Sequence, residues 1–309
     1  MKNNGLLSYS LTVVILILAS FSFSLTSNAQ TLYSCASPDG GSNPSFKIIN
    51  PNNGATLSTT EIILPRETVR GCNGMAKHPE TGVCYMMVNI TPRDEGPVAS
   101  RVLAVIDPKT GVARSIGDAQ ETFASLAFTS DGTLYGITGD GGPTPETLFT
   151  INIISGIPTF VQTLGNGNDG EAIGFNPSDG LLYHASGNCA ANVQEIFESI
   201  NPNTNMVTPI PYSGDTDAIT EIASLVKDSG NVFLAGDNFK LHSISIDGVV
   251  AFVGGMDHKS KGLAFDCVVP PIPPSNVPSI SEWGLIAMAG ILGIIGLMFL
   301  RRRKLTAKI

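Results

Sequence analysis

Positive charge is scarce in this chain: 18 Lys and Arg stand against 26 Asp and Glu in 309 residues. The familiar local signatures of catalysis are missing as well. There is no Gly-x-Ser-x-Gly elbow, no His-Glu-x-x-His pair, no Gly-rich phosphate loop ending in Lys-Ser/Thr and no Cys-x-x-Cys. These absences remove the sequence-local forms of hydrolase, zinc-protease, nucleotide-binding and dithiol chemistry. The four histidines are dispersed, with His78 in a turn, His184 and His242 on strands and His258 in a loop. None has a second histidine at ligand spacing, so neither a zinc site nor a Ser-His-Asp set is expected. Each reads as a surface residue or a satisfied partner. Long apolar runs are confined to the two ends. Without residues 1–29 and 279–309 the remainder holds 12 basic and 25 acidic side chains, a net charge of −13. A domain so charged is repelled by nucleic acid and by anionic lipid.

At the N-terminus, Lys2 precedes an apolar stretch from Leu11 to Leu25, and Ser27-Asn28-Ala29-Gln30 follows. This pattern predicts a secretory signal peptide over 1–29, cleaved after Ala29. At the C-terminus, Gly284–Leu300 is a 17-residue uncharged segment closed by Arg301-Arg302-Arg303-Lys304. As a helix it would be roughly 25 Å long, slightly short of a hydrocarbon core about 30 Å thick. Trp283 suits the outer interface, and the basic cluster stays on the cytoplasmic side, so the preceding chain lies outside. The Pro-rich stretch 268–278 reads as a stiff linker.

Val277-Pro278-Ser279-Ile280-Ser281-Glu282-Trp283-Gly284, an apolar helix and an Arg cluster resemble the IPTL-CTERM protein-sorting domain, whose core reads Ile-Pro-Thr-Leu-Ser-Glu-Trp-Gly. Val277, Ser279 and Ile280 depart from that core, while Pro278, Ser281, Glu282, Trp283 and Gly284 match it. The resemblance covers 277–304. It implies recognition by an exosortase-type membrane transpeptidase, cleavage near the motif and transfer to the cell surface. The expected partners are thus that enzyme and the bilayer, through 284–300. The expected location is the inner membrane with the ectodomain outside, and then the surface.

Between the ends, residues 30–267 repeat. Short apolar strands aligned on Lys77, Phe128, Phe175, Leu225 and Phe265 are separated by 51, 47, 50 and 40 residues. Each is followed by a Gly-bearing turn, an aromatic strand such as Leu134-Tyr135 or Leu182-Tyr183, a third strand, an Asx-bearing turn and a fourth strand. Four strands at a period of 40–50 residues predict an all-β fold, a five-bladed β-propeller. The last unit has only its first strand, Gly262–Phe265. Leu32-Tyr33, Phe46–Ile49 and Ala55–Ser58 supply the other three, so the N- and C-terminal strands should share a blade. Six blades is the alternative, should Pro65–Cys72 or Val88–Ser100 hide strands. The unit pattern is similar to a broad class of secreted bacterial propeller domains, which implies architecture and little about function.

The cysteines are Cys35, Cys72, Cys84, Cys189 and Cys267. Outside the cytoplasm they can oxidise. The blade arrangement suggests Cys35–Cys72 with Cys84–Cys267, and Cys35–Cys267 within the split blade is the rival. Sequence leaves the connectivity open, and Cys189 is left over.

Four positions before each alignment residue stand Asn73, Ala124, Glu171, Glu221 and Lys261, which should ring one mouth of the channel. With Asp169, and with Asp215 and Asp217 upstream of Glu221, they form the candidate ligand site. Converging carboxylates are Ca²⁺ ligands or an acid/base pair for a glycan, and the plain alternative is solvated loop residues. The Asx-Pro/Gly turns need no calcium, because turn chemistry explains them. No catalytic residue and no firm cofactor is assigned. The expected function is a non-enzymatic surface module binding protein or glycan. The alternatives are a hydrolase or lyase acting on polysaccharide or ester at the channel mouth, and a structural surface-layer component.

Overall fold

The computed structural model describes residues 30–36, 43–92, 100–139, 144–164, 171–186, 196–228, 230–271, 289–295 and 298. Two units separate, residues 1–270 and 271–309.

The first unit is all-β. Its inner strands are β4 (Glu67–Lys77), β8 (Phe123–Phe128), β12 (Glu171–Asn176), β17 (Ile222–Lys227) and β21 (Ser260–Phe265). Each starts an antiparallel sheet. Blade two is β4 with β5 (Cys84–Pro92), β6 (Ser100–Ile106) and β7 (Ala113–Asp118). Blade three adds β9 (Leu134–Thr138), β10 (Thr147–Ile151) and β11 (Pro158–Thr163) to β8. Blade four adds β13 (Leu181–Ser186), β14 (Ile196–Ile200) and β15 (Val207–Pro209) to β12. Blade five adds β18 (Val232–Asp237), β19 (Lys240–Ser245) and β20 (Val249–Gly255) to β17.

Blade one is assembled from both ends of the unit, in the order β21, β1 (Leu32–Ala36), β2 (Ser45–Ile49), β3 (Thr56–Glu61). Leu32 pairs with Phe265, Tyr33 with Ala264 and Ser34 with Leu263. The inner strands touch in the cycle β21, β4, β8, β12, β17 and back to β21. No sheet curls shut on itself. Each keeps an outer edge, and it is the succession of blades that returns to its start.

The blade count is five because the extra length after blade one is absorbed by a longer hairpin. Pro65–Cys72 contributes the first half of β4, and the start of Val88–Ser100 extends β5. Glu67 pairs with Pro92, and bulges at Val69/Gly71 and Asn73/Met75 keep the ladder in step. One element was not anticipated: β16 (Ser213–Gly214) pairs parallel with β20 as a fifth strand on blade five.

Period-two alternation sends neighbouring side chains to different interfaces. Met86 faces the seam between blades one and two, while Met87 faces the seam between two and three. Leu126 and Ala127, and likewise Ala172 and Ile173, divide in the same way. The core is therefore five separate apolar seams, one per blade pair, rather than a single centre. In four of the five blades the turn between third and fourth strands shares one chemistry. The side-chain oxygens of Asn50, Asp107, Asn152 and Asn201 each accept the backbone N–H two residues on. Gly54, Gly111 and Gly156 then take positive φ, and Asn205 does so in blade four.

Two disulfides join blade one to blade two, Cys35–Cys72 and Cys84–Cys267. Cys189 lies outside the described residues. In the second unit, residues 289–295 and 298 are helical. No helix of the described residues is long and apolar enough to cross a membrane, and the rest of 284–300 lies outside them.

The two bridges close loops of unequal length, with sequence separations of 37 and 183 residues. Chain entropy then assigns about 4 and about 5 kcal/mol to them. In urea denaturation, the Cys84→Ser/Cys267→Ser protein is expected to lose more stability than Cys35→Ser/Cys72→Ser. The reverse order would mean that native packing, not loop closure, sets their worth.

Candidate functional site

The predicted mouth residues are brought to one end of the inner strands, but they do not share a task. Glu171 opens β12 and is fully buried. His184 on β13 pairs in register with Glu198 on β14 and lies diagonal to Glu171. Its Nε2 is 2.5 Å from Glu171 Oε2 and its Nδ1 is 2.9 Å from Glu198 Oε1. All three sit on the face of blade four that meets blade three, continuing the seam of Ile173, Leu182 and Ile200. Burial alone would disfavour a charged ring. The two carboxylates outweigh it by hydrogen bonding and by charge, and the His184 pKa is pushed up to about 9. Glu171 is therefore part of an interior Glu-His-Glu clasp, not a residue open to the channel.

Glu221 stays near the channel and pairs with Lys261 of the neighbouring inner strand, both partly exposed. The turn before β17 presents Glu221 because Asp237 organises it. Asp237 accepts hydrogen bonds from the Thr220 N–H (2.9 Å), the Thr220 hydroxyl (2.6 Å) and the Glu221 N–H (2.6 Å). Burial would raise the Asp237 carboxyl, but these donors and His242, 3.4 Å away, hold it below the usual carboxylate range. Asn73 accepts from the Asn89 amide at 2.9 Å, and Ala124 is part-buried. Asp169 lies outside the described residues.

Asp215 does not join this mouth, and Asp217 lies in the 3-10 turn Thr216–Ala218 that follows it. The β16–β20 pairing carries that segment to the outer edge of blade five, where Asp215 accepts the Phe252 N–H at 3.3 Å. Among the described residues no group of three or more His, Cys, Asp or Glu is placed to hold a metal.

Sequence reasoning missed one constellation. Ser34 Oγ lies 2.8 Å from His258 Nε2, and His258 Nδ1 lies 2.8 Å from Asp257 Oδ1. Lys47 and Thr56 also donate to Asp257, at 3.2 and 2.6 Å. Burial of the Asp257 carboxyl is more than offset by Thr56, His258 and Lys47, so its pKa is lowered. The spacing is that of an acyl-transfer triad. Ser34, however, has 0 % exposure, and its hydroxyl also bonds Ser260 at 3.0 Å, which in turn meets Ser224 at 3.1 Å. A substrate carbonyl has no approach to it. The chain of hydroxyls spans the seam between blades five and one. The sequence signal was the adjacent Asp257-His258 pair; Ser34 joins it only once β1 and β21 share a sheet.

The opposite mouth holds a cavity of about 260 Å³ lined by the C-terminal ends of all five inner strands. The five alignment residues, Lys77, Phe128, Phe175, Leu225 and Phe265, all line it.

Residues 277–303 match the IPTL-CTERM motif, while the eight residues of its core lie outside the described residues. No curated protein matches the chain. Solved structures similar to it include a protein of unknown function from Bacteroides caccae, with 12% identity and a TM-score of 0.48, covering 77% of this chain and 98% of that one. TolB from Acinetobacter baumannii has 13% identity and a TM-score of 0.48, covering 74% and 54%. An auxiliary nutrient binding protein from Bacteroides ovatus has 14% identity and a TM-score of 0.41, covering 75% and 50%. At these scores the likenesses carry no argument about function.

The raised His184 pKa has a definite sign. An unperturbed histidine titrates near 6.5, and in the fold this one is raised to about 9. Stability from the Glu-His-Glu clasp is fully present below pH 6.5 and is lost as pH rises through 9. The loss is on the order of 3 kcal/mol. Urea midpoints at pH 6, 8 and 9.5 are expected to fall in the wild type and to stay nearly level in Glu171→Gln/Glu198→Gln. Parallel pH profiles for the two proteins would show that the clasp does not titrate this way.

Proposed function

We propose that this chain is exported, retained by its C-terminal segment and sorted to the cell surface, where its propeller acts as a non-enzymatic binding module. The observation that carries this reading is the IPTL-CTERM motif at 277–303 placed after a disulfide-bonded five-bladed propeller. In this reading residues 1–29 are removed on export and 284–300 hold the tail in the bilayer. An exosortase-type transpeptidase reads Pro278, Ser281, Glu282, Trp283 and Gly284 before the ectodomain is transferred outward. The acidic balance supports a soluble domain away from nucleic acid and anionic lipid.

The non-enzymatic part rests on how the candidate groups are spent. Glu171 serves His184, Glu221 serves Lys261, and Ser34 is sealed between blades. A hydrolase reading draws on the Ser34–His258–Asp257 spacing alone, and it requires the seam between blades five and one to open.

Two measurements test these readings. Intact mass of the protein recovered from its native cells is expected to lack residues 1–29 and the tail. Glu282→Ala/Trp283→Ala should keep the tail and remain in the membrane fraction; identical masses for both proteins would sink the sorting proposal. A fluorophosphonate probe is expected to leave Ser34 unmodified by mass, and an adduct at Ser34 would promote the hydrolase reading.

A further inference from the structure

The cavity at the far mouth is unlike the rest of this acidic domain. Among the described residues no acidic side chain lines it. Its walls are the inner-strand ends, where Ala76, Ala127 and Ala264 leave room between the larger ring residues. The ring has one residue per blade at equivalent positions. Blades one, three, four and five supply Phe265, Phe128, Phe175 and Leu225, and blade two alone supplies a cation, Lys77.

The two lysines at this mouth differ. Lys227 is committed to its own loop: it donates to the Asp228 carbonyl at 2.8 Å and to the Gly230 carbonyl, and it lies over the Phe233 ring. Lys77 is part-buried and has no hydrogen-bond or ion-pair partner among the described residues. Its side chain lines a channel end shared with Phe128, Phe175 and Phe265, whose rings also pack into the seams between blades. At the rim, the exposed Ser130 adds a hydroxyl.

We propose that the channel end bounded by Lys77, Phe128, Phe175, Leu225 and Phe265 binds a small amphiphilic anion, a carboxylate with a compact aromatic or aliphatic body. The apolar body fills the ring and the carboxylate meets the Lys77 ammonium. A volume of about 260 Å³ falls below the range of drug-sized pockets, roughly 300–1,000 Å³, so the ligand is smaller than those. The cationic ring position also sets polarity. A neutral body of the same shape gains the apolar contact without the charge-assisted bond, and a cation is repelled. This site lies at the other end of the inner strands from Glu221 and Lys261. The inference deepens the binding-module reading and rests on it, by naming a ligand class for the propeller.

Phenylacetate and phenylacetamide are probes of nearly equal shape that differ in charge. Full-length protein in lipid nanodiscs is titrated with each, with empty nanodiscs as the blank, and binding is followed by ligand-observed NMR. Phenylacetate is expected to bind about tenfold more tightly than the amide, as one charge-assisted hydrogen bond supplies. Lys77→Met should bring the two within about twofold, Lys77→Arg should restore the preference, and Lys261→Met should leave it unchanged. Circular dichroism and thermal melting check that each variant is folded. Equal binding of both probes by the wild type, no saturable binding of either, or a preference that survives Lys77→Met would overturn the proposal. Those outcomes leave the tail-processing result untouched, so failure of this site is distinguishable from failure of the sorted-module reading.

Discussion

The pairing of β1 with β21 is the constraint on which the rest depends. It joins residues more than two hundred positions apart: the Thr31 N–H donates to Asp266 across a separation of 235. Without β1, β21 would be a single inner strand with no sheet behind it. Once paired, they complete blade one, which then buries an apolar face on each side, against Leu234 and Leu241 of blade five and against Met75 and Met86 of blade two. Such pairing pays its loop-closure entropy late, since no contact within blade one's own strand order can substitute for it. Cys84–Cys267 secures that long closure directly, with a separation of 183 residues, while Cys35–Cys72 closes a loop of 37 beside it. They fasten the composite blade to its neighbour near both ends of the first seam, at Cys35–Cys72 and at Cys84–Cys267.

Each seam has an apolar cluster, and polar or covalent groups lie beside it near the start of the inner strands. Blades one and two have the Cys35–Cys72 bridge. Between two and three, the Arg101 guanidinium donates to the Phe123 carbonyl at 2.5 Å. Glu171, His184 and Glu198 border the seam of three and four, and Asp237 and His242 that of four and five. Ser224, Ser260, Ser34 and His258 close five onto one. Apolar packing tolerates sliding of one sheet over the next, because it is not directional. Hydrogen bonds and disulfides do not, so links that cross a seam, such as the two disulfides, Arg101 to Phe123 and Ser224 to Ser260, hold neighbouring blades in register, whereas Glu171–His184–Glu198 and Asp237–His242 tie strands within blades four and five. Buried charges are costly unless paired, which explains why His184 is flanked on both ring nitrogens rather than left single.

The architecture was legible because a propeller writes its period into the chain. Strand-end residues such as Phe128, Phe175 and Phe265 recur at nearly constant spacing, and the missing strands of the last unit matched the first ones. The blade total was less legible, since β4 and β5 lengthen together, with bulges in β4 taking up the difference, and an extended hairpin looks like extra strands. The ligand site was the least legible part. Counting four positions back from each alignment residue grouped Glu171 with Glu221 and Lys261, of which the last two pair, but it could not say which way Glu171 turns. That depends on His184 and Glu198 arriving from the next two strands on the same face. Asp215 was misjudged because β16 docks parallel on an outer edge, a pairing two residues long and without a pattern of its own.

The alignment residues themselves held information that the period alone did not use. They were chosen to mark repetition, and four of the five are large and apolar as repetition requires. The fifth, Lys77, breaks the series at a position where the fold would be served by another phenylalanine or leucine. A lysine there places a charge at a channel end otherwise bounded, at the equivalent positions, by apolar side chains. Departures from internal symmetry at equivalent positions are where a repeat protein can carry function without disturbing its seams. In this molecule the clasps belong to the architecture, and the asymmetry belongs to the channel end that Lys77 overlooks.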